Sequence, residues 1–136
     1  MTQTLKVEIV TPEGVVYAED ALMITLPAIE GQIGVLPEHI PLMTRIVPGE
    51  MVVNTPRGIT YLAVGGGLVH ITRERVWFVT DMAVAADRID EAKAEEARRR
   101  ALARLSEKIS DEEVASVNAS LARSLAQLTV KRRRRV

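Results

Sequence analysis

The side chains of this chain that could do chemistry are two histidines, a late set of serines, a run of three glycines and clustered arginines. His39 and His70 have no cysteine or carboxylate at metal-ligand spacing, and the chain has no cysteine at all. Thiolate metal sites and disulfides are therefore excluded, and no metal site is expected. His39 is expected to satisfy loop backbone groups or to line a contact surface, and His70 to be a partly buried strand residue. Every serine lies at position 106 or later, and none sits in the strand-turn-helix elbow that a hydrolytic nucleophile needs. Gly65-Gly66-Gly67 lies between two strand-like runs and lacks the following lysine of a phosphate loop, so a bend or a close backbone approach is its expected use.

What remains is recognition by charge. Arg98, Arg99, Arg100 and Arg104 form the basic patch of a helical segment, and Lys131, Arg132, Arg133, Arg134 and Arg135 form a terminal basic run. Such runs are usually solvated and frayed. Nucleic-acid binding is the obvious alternative use. Aromatic residues at 3%, a formal net charge of zero and the lack of a recognition motif argue against it. An acidic protein surface is the better partner.

These residues must be positioned by two different architectures. Across residues 1–85 the pattern is β. Leu5, Val7 and Ile9 share one face of an alternating run, as do Leu22, Ile24 and Leu26, and further runs occupy 51–54, 59–64, 68–72 and 75–81. Turn formers at 11–14, 30–31, 48–49, 55–58 and 72–74 separate them, and such closely spaced strands favour a sandwich or barrel. From residue 86 to 136 there is no Gly and no Pro, and helix formers dominate. Asp87 or Asp90 can start a first helix whose apolar positions are Ala94, Ala97, Ala101, Leu105 and Ile109. Ser110 with Glu113 is a capping-box pair for a second, with the stripe Val114, Val117, Leu121, Leu125 and Leu128. A very short turn between them implies an antiparallel hairpin.

The charge follows the same division. Residues 1–85 carry five basic and nine acidic residues, whereas residues 86–136 carry thirteen basic and nine acidic. The hairpin's buried face is largely alanine, and each buried CH₂ is worth only about 0.8 kcal/mol. A hairpin so lightly anchored can leave its docking surface without unfolding the rest. No signal peptide is visible, because residues 1–10 alternate, and no apolar run approaches a membrane span.

Several segments, in order and at the right spacing, resemble the epsilon-subunit family of F-type ATP synthases. They are Val7-Glu8-Ile9-Val10-Thr11-Pro12-Glu13-Gly14, the loop from Gly31-Gln32-Ile33-Gly34 through Val35-Leu36-Pro37-Glu38-His39-Ile40-Pro41-Leu42, the double-glycine strand Ala63-Val64-Gly65-Gly66-Gly67-Leu68-Val69-His70-Ile71, and the helix start Ile89-Asp90-Glu91-Ala92-Lys93-Ala94. Glu38 stands where the family usually has Gly, and Leu68 where an aromatic is common.

The resemblance implies an α+β fold: a β-sandwich of about ten strands followed by an antiparallel two-helix hairpin. It implies a non-catalytic central-stalk subunit. The sandwich would bind the gamma subunit and the c-ring, with Gly31, Gly34, Pro37, His39 and Pro41 in the contact loop. The helices would extend towards the catalytic beta and alpha subunits and inhibit ATP hydrolysis through Arg98, Arg99, Arg100 and Arg104. The expected location is peripheral, on the cytoplasmic face of the bacterial inner membrane, with no direct membrane span.

Some bacterial members bind ATP through an Ile-Asp-x-x-Arg-Ala motif helped by arginines of the second helix. Here Ile89, Asp90 and Ala94 match the motif and Arg123 matches one arginine of the second helix, with Arg100 a further candidate contact, but Lys93 replaces the motif arginine and Gln127 stands at the other arginine position. Lysine meets phosphate only as a point charge, so no cofactor is required and regulatory ATP is expected to bind weakly. Two other classes compete: a stand-alone nucleotide sensor, and a basic-tailed nucleic-acid binder. Co-purification with gamma separates the first reading from both.

Overall fold

A computed structural model of the chain describes residues 3–134. Ten strands precede the helices: β1 Leu5–Thr11, β2 Gly14–Ala21, β3 Met23–Ala28, β4 Gly31–Val35, β5 Leu42–Ile46, β6 Gly49–Thr55, β7 Gly58–Val64, β8 Gly67–Ile71, β9 Arg75–Thr80 and β10 Ala83–Ala85. A 3-10 turn, Ala86–Arg88, leads into α1, Glu91–Leu105, and α2, Asp111–Arg133.

The strands run in the order β10-β7-β6-β3-β5-β8-β9-β1-β2, with β4 paired to β3. All neighbours are antiparallel except β1 and β9. The fold bends where β3 meets β5, because only Ala28 and Ile46 pair there. The two halves face one another across a core of Leu5, Ile9, Ile24, Leu26, Met51, Val53, Val69, Ile71 and Phe78. Strict alternation puts these residues inside: β1 and β9 bury every second side chain.

Four strands, β2, β4, β5 and the three-residue β10, have no clear alternating signal in the sequence. β2 lies at a sheet edge and buries only Ala21, and β4 and β5 each bury a single residue. The expected loop over 31–42 is thus resolved into β4, the connection 36–41 and the start of β5. Gly31 and Gly34 belong to a strand, paired with Ala28 and Thr25.

The hairpin starts where Asp90 caps α1, its side chain accepting from the Lys93 N–H at 3.1 Å. Ser110 caps α2 by accepting from the Glu113 N–H at 3.2 Å. The Glu113 carboxylate is drawn to Arg104 across the turn, so among the described contacts only the serine half of the expected capping box is made. The stripe of α2 also needs correction. Leu125 is 45% exposed, while Ser124, Ala126, Leu128 and Val130 are buried. The reason is that α2 has two surfaces to cover, α1 on one side and β6 and β7 on the other. No helix among the described residues is long and apolar enough to cross a membrane.

Candidate functional site

Two surfaces stand apart from the rest of the molecule. The first is the seam where α2 lies on the sandwich. Its apolar part is small: Ala63, Ala86, Ile89 and Val130 are buried together, with Tyr61, Met82 and Val84 packed against them. Charge surrounds it. Arg134 forks onto Glu50, with Nη2 at 2.8 Å from Oε1 and Nε at 3.0 Å from Oε2. Its guanidinium also lies 3.9 Å from the centre of the Tyr61 ring, within cation–π range. The hydrogen bond to Glu50 raises the Arg134 pKa above its ordinary value. At the other end of the seam, Arg123 Nη1 donates to Asp81 Oδ2 at 3.0 Å. Lys131 Nζ donates to the Ala86 carbonyl at 3.2 Å. Arg132 ties α2 to α1 through Glu91 at 3.0 Å and Glu95 at 3.3 Å.

Over its described length the terminal basic run is tied down rather than frayed, with Arg132 and Arg133 still exposed. Each of Lys131, Arg132, Arg133 and Arg134 has a partner, because the sandwich and α1 supply carboxylates and a carbonyl opposite them. Arg135 lies outside the described residues.

Most of the expected nucleotide residues are engaged within the chain itself. Ile89 and Ala94 are buried, Asp90 is used as a cap, and Lys93 is exposed. Arg123 is held by Asp81, and the Gln127 amide sits against Met82 Sδ at 2.9 Å. Arg100 lies instead on a solvent-open groove of about 370 Å³ between the helices, with Ala97, Ala101, Arg104, Val117 and Ser120. The expected single basic face is split as well. Arg98 and Arg99 turn to Glu95, whereas Arg104 closes the hairpin turn on Glu107 and Glu113. Residues 98 to 100 step about 100° apart around a helix, so they cannot share a face.

The second surface is the outer face of β5, β8 and β9. Register places Met43 beside His70 and His70 beside Trp77, and likewise Arg45 beside Leu68 and Leu68 beside Val79. Met43 is 64% exposed, Leu68 53%, Trp77 47% and Val79 46%. Contiguous apolar exposure of this kind marks an interaction site. His70 belongs to it and is exposed, which corrects the expectation of partial burial. The connection 36–41 extends the surface with Leu36 and Ile40, both more than half exposed. Within it, His39 Nδ1 lies 2.6 Å from the Ile40 carbonyl, as expected of a loop histidine, while Pro37 is half-buried and Pro41 exposed. Glu38 is the one non-glycine residue with positive φ among the described residues, at 70°. That conformation is the physical reason for a glycine preference at this position.

Comparison with known proteins bears on both surfaces. Residues 4–86 match the model of the ATP synthase delta/epsilon chain β-sandwich domain, and residues 87–132 that of the long α-helix domain of the same chain. The chain is 43% identical over 128 residues to the ATP synthase epsilon chain of Halorhodospira halophila, covering 92% of this chain and 90% of the relative. It is 40% identical over 134 residues to that of Alkalilimnicola ehrlichii, covering 97% and 96%. In fold it is similar to a chain of the Euglena gracilis mitochondrial ATP synthase, with a TM-score of 0.70, 22% identity and coverage of 93% of this chain and 79% of that one.

Proposed function

The chain belongs to the ATP synthase epsilon-chain family, and from that premise we propose that it is a non-catalytic central-stalk subunit of a proton-translocating F-type ATP synthase. Its sandwich couples the gamma subunit to the c-ring, and its helices restrain ATP hydrolysis at the catalytic beta and alpha subunits. It sits peripherally on the cytoplasmic face of the bacterial inner membrane, held there by the complex. The observation that carries this reading is the exposed apolar face of Met43, Leu68, Trp77 and Val79, which supports a protein partner on the sandwich. The chain has one tryptophan, so its fluorescence reports on that face alone. Gamma should shift Trp77 emission, and Met43→Asp with Leu68→Asp should weaken gamma binding by roughly a hundredfold while the sandwich stays folded. Unchanged binding by that variant overturns the assignment of the face.

The inhibitory part has its own test. Replacing Arg98, Arg99, Arg100 and Arg104 with Ala should raise ATP hydrolysis by the reconstituted complex, and unchanged hydrolysis with the subunit still bound counts against it. Regulatory ATP binds weakly in this reading, supported by the exposed Lys93 and by the engagement of Arg123 with Asp81. Calorimetry should find weak binding, tightened in Lys93→Arg with Gln127→Arg. Tight binding by the unmodified chain overturns it.

A further inference from the structure

The mobility of the hairpin, part of the reading above, leaves open what holds it down. We propose that the hairpin is fastened to the sandwich by a two-point electrostatic clamp, Arg134 on Glu50 and Arg123 on Asp81, and that Gly65 is the positioning residue for the second point.

Three observations carry this. The apolar seam is small, since its buried members are two alanines, Ile89 and Val130, with Tyr61, Met82 and Val84 only partly buried against them. The ion pairs bracket it: Arg123 and Arg134 are separated by roughly 16 Å of helix, so together they fix both position and direction of α2. The two points also differ in kind. Glu50 has a side chain only 12% exposed and receives a two-pronged guanidinium, the geometry in which a charge-assisted bond is strongest. Asp81 is 47% exposed and receives a single prong, which solvent weakens.

Gly65 enters through space rather than backbone conformation. A Cβ at this position would lie 1.8 Å from Asp81 Oδ1. Only a residue without a side chain lets that carboxylate fold over the turn, and this placement aims Oδ2 at Arg123. The Gly65 N–H bonds the Met82 carbonyl at 2.8 Å, so the turn itself is fixed next to Asp81. One of the three consecutive glycines thus acts on the hairpin, 58 positions away in sequence, through one intervening carboxylate. The clamp has a functional corollary. Salt, or an acidic protein surface offering carboxylates to the same two arginines, competes for the hairpin and releases it.

The test uses the full chain. It has no cysteine, so Glu74→Cys on the sandwich and Lys108→Cys at the hairpin turn, both exposed, accept a donor and acceptor dye pair. Energy transfer gives the ratio of released to docked hairpin as sodium chloride is raised, and circular dichroism checks folding. Release should grow with salt in the parent. At low salt Glu50→Gln should raise the ratio roughly tenfold or more, since it removes the negative charge facing Arg134 and nearby Arg133 and one of the two oxygens that Arg134 bonds. Arg134→Gln should do the same or less, and the double variant should match Glu50→Gln. Gly65→Ala should raise the ratio by a smaller factor and add nothing in an Asp81→Asn background. Salt-driven release that is identical in the parent and all variants overturns the clamp but leaves a movable hairpin standing. Additive effects in the two double variants overturn the pairing. A hairpin that stays docked in every protein at every salt overturns clamp and mobility together.

Discussion

The sandwich and the hairpin seam are both buried surfaces of one chain, but they are built on different terms. The sandwich core is continuous and made of large side chains, with Leu5, Ile9, Ile24, Leu26, Met51 and Phe78 almost wholly out of solvent. The seam buries small side chains over a short stretch and surrounds them with arginines. Hydrophobic stabilisation scales with the apolar area removed from water, so the core yields many times the stabilisation of the seam. The arginines can exchange a partner on the sandwich for water or for another carboxylate, whereas a core phenylalanine has no such substitute. On the proposed reading, one region is made to persist and the other to separate intact.

The comparison breaks if equivalent truncations act alike in both places. Phe78→Ala should cost the sandwich about 3–5 kcal/mol, read from denaturant unfolding. Val130→Ala removes two carbons from the seam and should cost about 1.5 kcal/mol. That loss should fall on docking, with the sandwich unfolding midpoint unchanged. A sandwich midpoint that falls equally in both variants would mean that hairpin and sandwich unfold as one unit.

The sequence made the first of these regions legible and the second only in part, and the reason is locality. Alternation in β1 and β9 reads directly, because half of each strand faces the core. β2 does not, because an exposed edge has no inner and outer face to distinguish. The hairpin reads from its lack of Gly and Pro and from the caps Asp90 and Ser110, which act over three residues. The seam cannot be read this way. Glu50 and Arg134 are 84 positions apart, and nothing local distinguishes a docked arginine from a solvated one. The β5–β8–β9 face was hidden for a related reason: its residues come from three strands and meet only through register. Arg123 was singled out for phosphate, yet its carboxylate partner lies in the turn between β9 and β10.

A smaller effect sharpens the contrast within the hairpin. Asp90→Ala removes the cap of α1 and should cost about 1 kcal/mol of helix stability with no nucleotide present. Helical circular dichroism during thermal unfolding should show an earlier loss of helix signal with the strand signal unmoved. If helix stability is unchanged until ATP is added, Asp90 acts on a ligand and not on the backbone.

The smallest effect belongs to the sandwich and separates it from the hairpin most cleanly. Glu38 holds φ at 70° in the connection after β4, where a side chain meets its own backbone. The left-handed region costs a non-glycine residue about 1–2 kcal/mol. Glycine removes that cost but gives back about 0.5–1 kcal/mol through the freer unfolded chain. The balance for Glu38→Gly is a gain of roughly 0.5 kcal/mol. The Glu38 N–H bonds the Arg73 carbonyl at 2.8 Å, an interaction glycine keeps, so the connection should stay anchored to the turn between β8 and β9. Residue 38 has no described contact with α1 or α2, and the gain should appear as a higher sandwich midpoint with unchanged dye transfer from the hairpin. A shift in hairpin docking would show that strain in this connection is transmitted across the core, and that the two regions are less separate than their packing implies. A loss of stability would mean that the Glu38 side chain makes up its backbone cost locally, leaving the glycine preference at this position to the demands of a partner surface.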